Sequence, residues 1–342
     1  MSLPREKRAE ILYNILKELS TDNKGFINEI SKRFQVSRQT VHHYIKELVK
    51  WGDIEKIGNK YQLKLSSFKI THKIKDRFEE SFVWSNEILP KITFLNENVR
   101  AICQYGFNEM LNNVIDHSES ENVEIIVSFN RFVLIFSIID NGIGIFNKIQ
   151  KTLNLSSPRE SIIELEKGKF TSDPKNHSGE GIFFTSRAFD TFIILSENLE
   201  FHSSNSEDLL VLKPINEGKK GTSVLMAIFL ESKKTLDSIF KEFTDSENDY
   251  SFSKTEVRVD LLRFPNEDLV SRSQAKRLVF GLDKYKKITL SFKNIPLIGQ
   301  GFADEIFRVF QNEHPDIEII PTDTNEEVMR MIMHVLRPNN PR

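Results

Sequence analysis

The sequence is poor in cysteine and has no long apolar run. Its one cysteine, Cys103, excludes an internal disulfide framework and a Cys-rich zinc site within this chain. A lone cysteine is usually a small buried hydrophobic group, and we expect that role here. No apolar run approaches the roughly 18 residues of a membrane-spanning helix, and the first residues lack the pattern of a signal peptide. These absences favour a cytoplasmic protein without a membrane partner.

The sequence also lacks a strong net charge, but its charges are unevenly distributed. The formal net charge is -2 over 342 residues, a length that favours about two or three domains. Residues 1–65 contain 13 Lys and Arg against 8 Asp and Glu, and the remainder contains 34 basic and 41 acidic residues. A basic segment on an acidic body predicts a polyanionic partner for that segment, although a solvated surface without a partner fits the same charges.

The N-terminal segment carries three helical patterns and then a hairpin pattern. Apolar residues recur at helical spacing over residues 5–20, 27–34 and 37–51, and Ser37 is a favourable N-cap for the third helix. Two short strand patterns, 53–57 and 60–65, flank a Gly-Asn turn. This order resembles a winged helix-turn-helix domain, which we assign to residues 1–66.

The third helix presents polar side chains opposite its apolar side. These are Arg38, Gln39, His42, His43 and Lys46. A helix with such hydrogen-bonding groups fits the DNA major groove, and a basic wing contacts phosphates. The resemblance therefore implies DNA binding through these residues, although winged helices also serve as protein-docking modules. A metal site at the two adjacent histidines is not expected, because neighbouring residues on a helix point in different directions.

A second informative region begins after residues 67–98, which we predict to be a connector with helical character around 77–89. Residues 99–117 show helical apolar spacing, and Glu109 and Asn113 lie one turn apart on its polar side, together with Asp116 and His117. A carboxylate and a carboxamide placed in this way can converge on one ligand. Alone, they also fit the solvated side of an amphipathic helix.

Three glycine motifs follow this helix. Strand patterns at 123–129 and 132–139 lead into Asp140-Asn141-Gly142-Ile143-Gly144, where a carboxylate at a strand end is followed by an open backbone loop. Ser178-Gly179-Glu180-Gly181 opens a helical stretch, and backbone N–H groups at such a helix start bind phosphate. Lys220-Gly221-Thr222-Ser223 precedes a strand pattern at 224–229.

These four elements, in this order, resemble the GHKL family of ATP-binding proteins, which includes gyrase, the 90-kilodalton heat-shock chaperone, histidine kinases and the MutL proteins. The branch of the anti-sigma serine kinases is the most similar in its compactness. The resemblance covers about residues 80–230, and we assign the domain to residues 99–235. It implies ATP and Mg²⁺ as cofactors.

The resemblance implies a role for each matching residue. Asn113 corresponds to the Mg²⁺ ligand and Glu109 to the general base that acts on a water or an acceptor hydroxyl. Asp140 would accept a hydrogen bond from the exocyclic amine of adenine, which selects ATP over GTP, with Thr222 supporting it. The glycines would let the chain pass close to the nucleotide, two near the base and ribose and two near the phosphates: Gly142, Gly144, Gly179 and Gly181.

The segment between the first two glycine motifs, residues 146–178, corresponds to the ATP lid of the family. Its Ser, Pro, Gly and Asn content is typical of a mobile loop. Lys169, Lys175 and His177 are candidates for phosphate contacts, and solvated loop charges fit equally well. The helix after Gly181 lacks the third glycine of several family branches, which puts the closing geometry of the lid in doubt.

The C-terminal part alternates strand and helix patterns. Strands are predicted at 255–264, 287–292 and 317–321, and helices at 271–282, 302–310 and 325–335. The pattern resembles a STAS-like domain, assigned to residues 250–338. Anti-sigma kinases phosphorylate a Ser or Thr at the start of a STAS helix. The matching stretch, 296–302, contains neither residue, and Ser291 lies inside the preceding strand.

Together these patterns predict an α+β multidomain protein with a winged helix, a GHKL α/β sandwich and a small α/β STAS-like domain. We expect an ATP-gated regulator that changes DNA binding by the winged helix. A Ser/Thr protein kinase acting on a separate protein is the alternative, and a module that only holds ATP is a third. The resemblance also implies a homodimer or a protein partner for the STAS-like domain. A usual histidine kinase is not expected, because no long heptad pattern surrounds His72.

Overall fold

The computed structural model describes residues 4–20, 25–58, 60–76, 78–170, 179–203, 220–245, 249–263 and 267–337. The chain forms two compact units, residues 1–145 with 185–235, and residues 146–184 with 236–342. The sequence-based boundaries follow the order of the chain and stay a prediction. The compact units cross them, because the chain leaves the first unit after Ile145 and returns to it at Thr185.

The described residues between Pro4 and Leu63 form three helices and a hairpin, as predicted. They are α1 (Arg5–Ser20), α2 (Phe26–Phe34), α3 (Arg38–Trp51) and the antiparallel strands β1 (Ile54–Ile57) and β2 (Lys60–Leu63). The Ser37 hydroxyl accepts the Thr40 N–H at 3.1 Å and caps the start of α3. The helix ends at Trp51, and the C-cap residue Gly52 has φ 79°. The core side chains come from all three helices: Ile11, Ile15, Ile30, Val41, Ile45 and Leu48.

The first unit also contains an antiparallel sheet, to which the described residues contribute six strands. The strands are β3 (Ser66–Lys73), β4 (Asn122–Phe129), β5 (Val133–Asp140), β6 (Thr191–Ser196), β7 (Leu199–His202) and β8 (Ser223–Phe229). They are ordered β3-β4-β5-β8-β6-β7. Every residue of β5 and β8 is buried, because both faces of these strands are covered.

Helix α5 (Glu97–His117) covers one face of the sheet. It begins where the Asn96 side chain accepts the Val99 N–H at 2.9 Å. Its apolar side packs on β5, and the rings of Phe107 and Phe136 lie 5.9 Å apart. Cys103 is fully buried in this helix, as predicted, and burial raises the pKa of its thiol.

The winged helix covers the opposite face of the sheet. Tyr13 of α1 packs edge-on against Phe229 of β8, with 5.2 Å between ring centroids. Leu63 and Leu65 pack on an apolar cluster of sheet residues: Val133, Ile135, Ile193, Leu225, Ala227 and Phe229. Phe132, just before β5, packs in turn against the core of the winged helix. The winged helix and the sheet therefore share an apolar interface.

The segment 67–98 differs from the predicted connector. Residues 67–73 of this segment belong to strand β3, which pairs with β4 at the edge of the sheet. The segment also contains a short helix α4 (Glu80–Val83) that continues as a π-helical turn, Trp84–Ile88, and a 3₁₀ turn, Leu89–Lys91. The strand escaped prediction because edge strands carry alternating Lys and polar residues instead of an apolar run.

The second unit combines helices with a small parallel sheet. Its helices are α6 (Ile145–Leu153), α7 (Glu160–Lys167), α8 (Gly181–Ala188), α9 (Leu236–Phe243), α10 (Arg272–Val279), α11 (Gln300–Asp304), α12 (Gln311–Glu313) and α13 (Glu326–Leu336), of which α6 begins and α8 ends in the first unit. A π-helical turn, Glu305–Phe310, joins α11 to α12. The strands are the short pair β9 (Thr244–Asp245) and β10 (Asp249–Phe252), and the parallel β11 (Lys254–Arg258), β12 (Lys287–Ser291) and β13 (Glu318–Thr322).

Candidate functional site

The surface of α3 presents all five side chains predicted to read DNA. Arg38, Gln39, His42, His43 and Lys46 are each exposed, whereas the opposite side of the helix is buried in the core of the winged helix. The periodicity of the helix therefore separates a packing side from a polar side.

The edge of this polar surface is set by an ion pair. Glu47 accepts two hydrogen bonds from Arg8 of α1, at 2.9 and 3.0 Å, and its carboxylate lies 3.7 Å from His43 Nε2. Glu47 is thus held toward α1. The other four polar residues, Arg38, Gln39, His42 and Lys46, have no acidic residue four positions away on the helix. In the wing, Lys56 and Lys60 are exposed.

The first glycine motif forms a tight loop at the end of β5. Asp140 closes the strand and is 4% exposed. Its Oδ1 accepts the Gly142 N–H at 2.8 Å, and its own N–H donates to the Thr222 carbonyl at 2.9 Å. The Thr222 hydroxyl accepts the Ile145 N–H at 3.0 Å. Thr222 therefore contacts both ends of the loop and lies beside Asp140; their role in nucleotide binding stays a prediction.

Two glycines allow backbones to pass close to one another around Asp140. A Cβ atom on Gly142 would lie 1.9 Å from the Ser118 carbonyl oxygen, and one on Gly221, where φ is +94°, would lie 2.2 Å from the Asp140 carbonyl oxygen. Gly144 is buried with φ 81°. A side chain at Gly142 or Gly221 would push the loop away from the end of α5 or from β8.

The loop is also tied to the C-terminal end of α5. The Ser118 carbonyl, one residue after the helix, accepts the Ile143 N–H at 2.9 Å. Glu109 and Asn113 lie half-buried on the same helix. Ser118 contributes through its backbone carbonyl, and no sequence pattern indicated it. Gly221 was recognised as part of the third glycine motif but was given no role of its own.

The electrostatics of Asp140 come from burial and backbone dipoles. Burial raises the pKa of its carboxyl group above the ordinary aspartate value, and the backbone hydrogen bonds of Gly142 and Thr222 partly oppose this rise. A carboxylate held in this way keeps further lone pairs for a donor.

The second glycine motif belongs to the second unit. Gly179 has φ 74°, and Gly181 is the first residue of α8. A Cβ on Gly179 would lie 2.5 Å from the Phe170 carbonyl. The Lys169 ammonium group donates to the Lys284 carbonyl at 3.2 Å and lies over the rings of Phe252 and Tyr285. These contacts stabilise its positive charge, so its position needs no phosphate to explain it. Lys175, His177 and Ser178 lie outside the described residues.

The residues near the start of α11, where related STAS helices carry the phosphorylated Ser or Thr, have structural roles. Helix α11 has Gly299 as its N-cap, with no side-chain hydroxyl there. The Ser291 hydroxyl is buried and donates to the Asp323 carboxylate at 2.7 Å. This hydrogen bond leaves Ser291 poorly placed to receive a phosphoryl group.

Two segments of the chain match known family models. Residues 12–61 match a helix-turn-helix (HTH) domain, and residues 274–329 match a STAS-like domain of unknown function (DUF4325). No curated protein matches the chain. Neither matching segment reaches residues 99–235, so the GHKL resemblance, ATP and Mg²⁺ stay predictions. Within the described residues, no helix is both long and apolar enough to cross a membrane. The protein is thus a mixed α+β multidomain chain with a helix-turn-helix domain in its N-terminal part and a STAS-like domain in its C-terminal part.

Proposed function

We propose that this protein is a DNA-binding regulator whose winged helix contacts DNA through α3 and whose central sheet binds Mg-ATP beside Asp140. The observation that supports ATP binding most directly is the buried Asp140 carboxylate at the end of β5, with the glycine loop folded back on it. The helix-turn-helix match supports the DNA-binding part.

Asp140 suits an adenine base for a chemical reason. The exocyclic amine of adenine is a donor, and an ionised carboxylate is an acceptor only. Guanine carries a carbonyl oxygen at the corresponding ring position, so two acceptors would face each other. A buried acceptor left without a donor costs about 1–3 kcal/mol, which is enough to distinguish the two bases. Thr222 would hold the loop that carries this carboxylate, through the hydrogen bonds to Asp140 and Ile145.

The phosphate side of the pocket would be formed by α5. Mg²⁺ commonly binds a few protein oxygens together with phosphates and water, so the single amide oxygen of Asn113 on the half-buried side of α5 fits such an ion. When bound, the ion would neutralise phosphate charge. Glu109, one turn before Asn113, would orient and deprotonate the attacking water or hydroxyl. Gly179 and Gly181 belong to the second unit and stay predictions as phosphate-binding residues.

A kinase acting on a separate protein is the alternative use of the same residues. It differs only in the acceptor that Glu109 activates, a hydroxyl of another protein instead of water. The buried Ser291 and the glycine cap of α11 disfavour the chain's own STAS-like domain as that acceptor. Incubation with γ-labelled ATP distinguishes the two functions, since a kinase labels a second protein and an ATPase releases free phosphate.

Replacing Asp140 tests the ATP pocket. We expect Asp140→Asn to weaken ATP binding about ten- to a hundredfold in calorimetric titrations, because a charged acceptor for the adenine amine is lost. Asp116→Asn is the matched control, since Asp116 is an exposed carboxylate on α5. Its affinity should equal that of the parent. Equal affinity of Asp140→Asn and the parent would place the nucleotide elsewhere, or nowhere, in this chain.

Replacing the exposed cations of α3 tests DNA binding. The double variant Arg38→Ala/Lys46→Ala should lose about 1–3 kcal/mol of binding free energy for each base contact removed, and its salt dependence should become shallower. The double variant Lys75→Ala/Lys233→Ala, at two exposed positions outside the winged helix, is the charge-matched control. Affinity is measured by fluorescence anisotropy on a genomic DNA library. If Arg38→Ala/Lys46→Ala binds as tightly as this control, α3 is not the DNA-contacting helix.

A further inference from the structure

We propose that the outer side of helix α13 is a surface through which two copies of this chain pair. The helix and its contacts lie in the second unit. The match to the STAS-like family model ends at residue 329, so most of this surface lies beyond the matched segment. Such pairing goes beyond the proposed function and depends on neither ATP nor DNA.

Helix α13 is positioned by its inner side and by its cap. Val328 and Ile332 are buried, and the helix packs against α11. At its start, the Asn325 side chain accepts the Val328 N–H at 2.9 Å. The same side chain donates to the carbonyls of Ile295 and Pro296, each at 3.0 Å. These contacts fix the helix on the STAS-like domain and leave its outer side available.

The outer side of α13 carries an apolar stripe. Met329, Met333 and Leu336 are 37, 52 and 50% exposed, and they follow one another at i, i+4 and i+7. Residues at this spacing lie along one side of a helix. A single exposed apolar residue is ordinary on a protein surface, whereas a continuous apolar surface marks an interaction site. Two of the three residues are methionines, whose flexible side chains adapt to an apposed surface.

Charges of opposite sign border the two ends of this stripe. Glu326 at the N-terminal end and Arg337 at the C-terminal end are both exposed. At about 100° per residue, both lie within about 40° of Met333 around the helix axis. Glu327 and Arg330 lie farther from the stripe and pair with each other at 3.0 Å. The charges next to the stripe are thus negative at its start and positive at its end.

This pattern is complementary to itself in a two-fold dimer. Both copies of a symmetric dimer use the same surface, and a two-fold axis perpendicular to α13 makes the two helices antiparallel. When the stripes are centred on each other, Glu326 lies within about 3 Å, along the helix axis, of the partner's Arg337. One such ion pair would close each end of the apolar contact. This self-complementarity favours a second copy of the chain over a different protein.

Sedimentation velocity of the full chain, without nucleotide or DNA, tests the pairing. Because three side chains from each copy form a small contact, we expect a dissociation constant of roughly 1–100 µM. Met333→Glu should weaken the dimer at least about tenfold, since it places two carboxylates near the two-fold axis in an apolar contact. Ile57→Glu is the matched control, because it adds a carboxylate at a 56% exposed apolar residue of the wing. It should dimerise like the parent.

Two charge reversals test the antiparallel arrangement. Glu326→Lys and Arg337→Glu should each weaken self-association about tenfold, because an exposed ion pair contributes up to about fivefold and the symmetry provides two pairs. An equimolar mixture of the two variants should restore the parent's affinity, since every pair across the mixed interface again has opposite signs. Circular dichroism checks that each variant is folded.

Three results would overturn the proposal. The first is a parent chain that stays monomeric up to about 200 µM, above the expected range of dissociation constants. The second is a folded Met333→Glu variant that dimerises as tightly as the parent. The third is a mixture of Glu326→Lys and Arg337→Glu that associates no better than either variant alone, which would exclude the antiparallel pairing of α13. None of these results bears on ATP or DNA binding.

Discussion

Asp140 is held almost entirely by main-chain groups. Burial raises the pKa of its carboxyl group, and the groups that lower it are the backbones of Gly142 and Thr222. A side-chain cation in this place would occupy the carboxylate and compete with a ligand. Main-chain partners instead fix its orientation and leave lone pairs available, which suits a residue whose role is to accept from a base.

Asp304 illustrates the opposite case and allows a prediction about pH. Hydrogen bonds from Arg308 and Arg272 lower the pKa of its carboxyl group below the ordinary value. An acid whose pKa is lower in the folded state contributes stability above its unfolded pKa and loses it as the pH falls through the folded pKa. The parent should therefore lose stability below about pH 4 more steeply than Asp304→Asn, as measured by urea unfolding.

The control for this measurement is Asp316→Asn, which changes an exposed carboxylate between α12 and β13 of the same domain. It should follow the parent at each pH. If Asp304→Asn and Asp316→Asn show the same acid dependence, the arginines do not stabilise the ionised form of Asp304.

At the scale of elements, β5 connects the two proposed functions. It ends at Asp140, and the turn before it contacts the winged helix, where Arg131 Nε donates to the buried Asp53 at 2.9 Å. The guanidinium also lies 5.1 Å from the centre of the Trp51 ring at the end of α3. Burial raises the pKa of Asp53, and Arg131 opposes the rise.

We predict that Arg131→Ala loosens the winged helix from the sheet. Removing the guanidinium leaves a buried carboxylate without this partner, which should lower the free energy of unfolding by about 1–3 kcal/mol in urea titrations. Arg100→Ala is the control, because Arg100 is an exposed arginine of α5 in the same unit. A loss no larger in Arg131→Ala than in Arg100→Ala would show that this ion pair adds nothing to the interface.

The sequence predicted the elements whose periodicity is strong and missed those that depend on distant partners. The three helices of the winged helix, α5 and β5 follow from apolar spacing. Strand β3 does not, because it is a polar edge strand paired with residues 49 to 63 positions away. The predicted strand 255–264 stops at Arg258, since Val259–Leu262 turn into a 3₁₀ helix. Apolar content alone does not distinguish these two conformations.

In the candidate site, sequence patterns indicated the functional side chains but not the main-chain contacts. Asp140, Gly142 and Thr222 were singled out because a strand end and two glycines carry a local signal, and hydrogen bonds join them in the structure. The Ser118 carbonyl and the close approach at Gly221 depend on how α5 and β8 pack, and no side-chain pattern encodes that packing. Glu109 and Asn113 stay predictions as ligand-contacting residues.

At the scale of the whole molecule, the two compact units are not consecutive segments of the chain. The predicted GHKL domain, 99–235, is divided, because residues 146–184 group with the STAS-like part. The winged helix groups with the central sheet. The predicted domains are consecutive segments of the chain. The hydrogen bonds of Lys167 and Arg131 instead join elements that are far apart in the sequence.

Calorimetric titration of the full chain with ATP and with GTP, each with Mg²⁺, tests the central claim most directly. If Asp140 accepts from the adenine amine, ATP should bind and GTP should bind at least about tenfold more weakly, because its carbonyl would face the carboxylate. Absence of ATP binding, or equal affinity for ATP and GTP, would contradict a nucleotide pocket at Asp140.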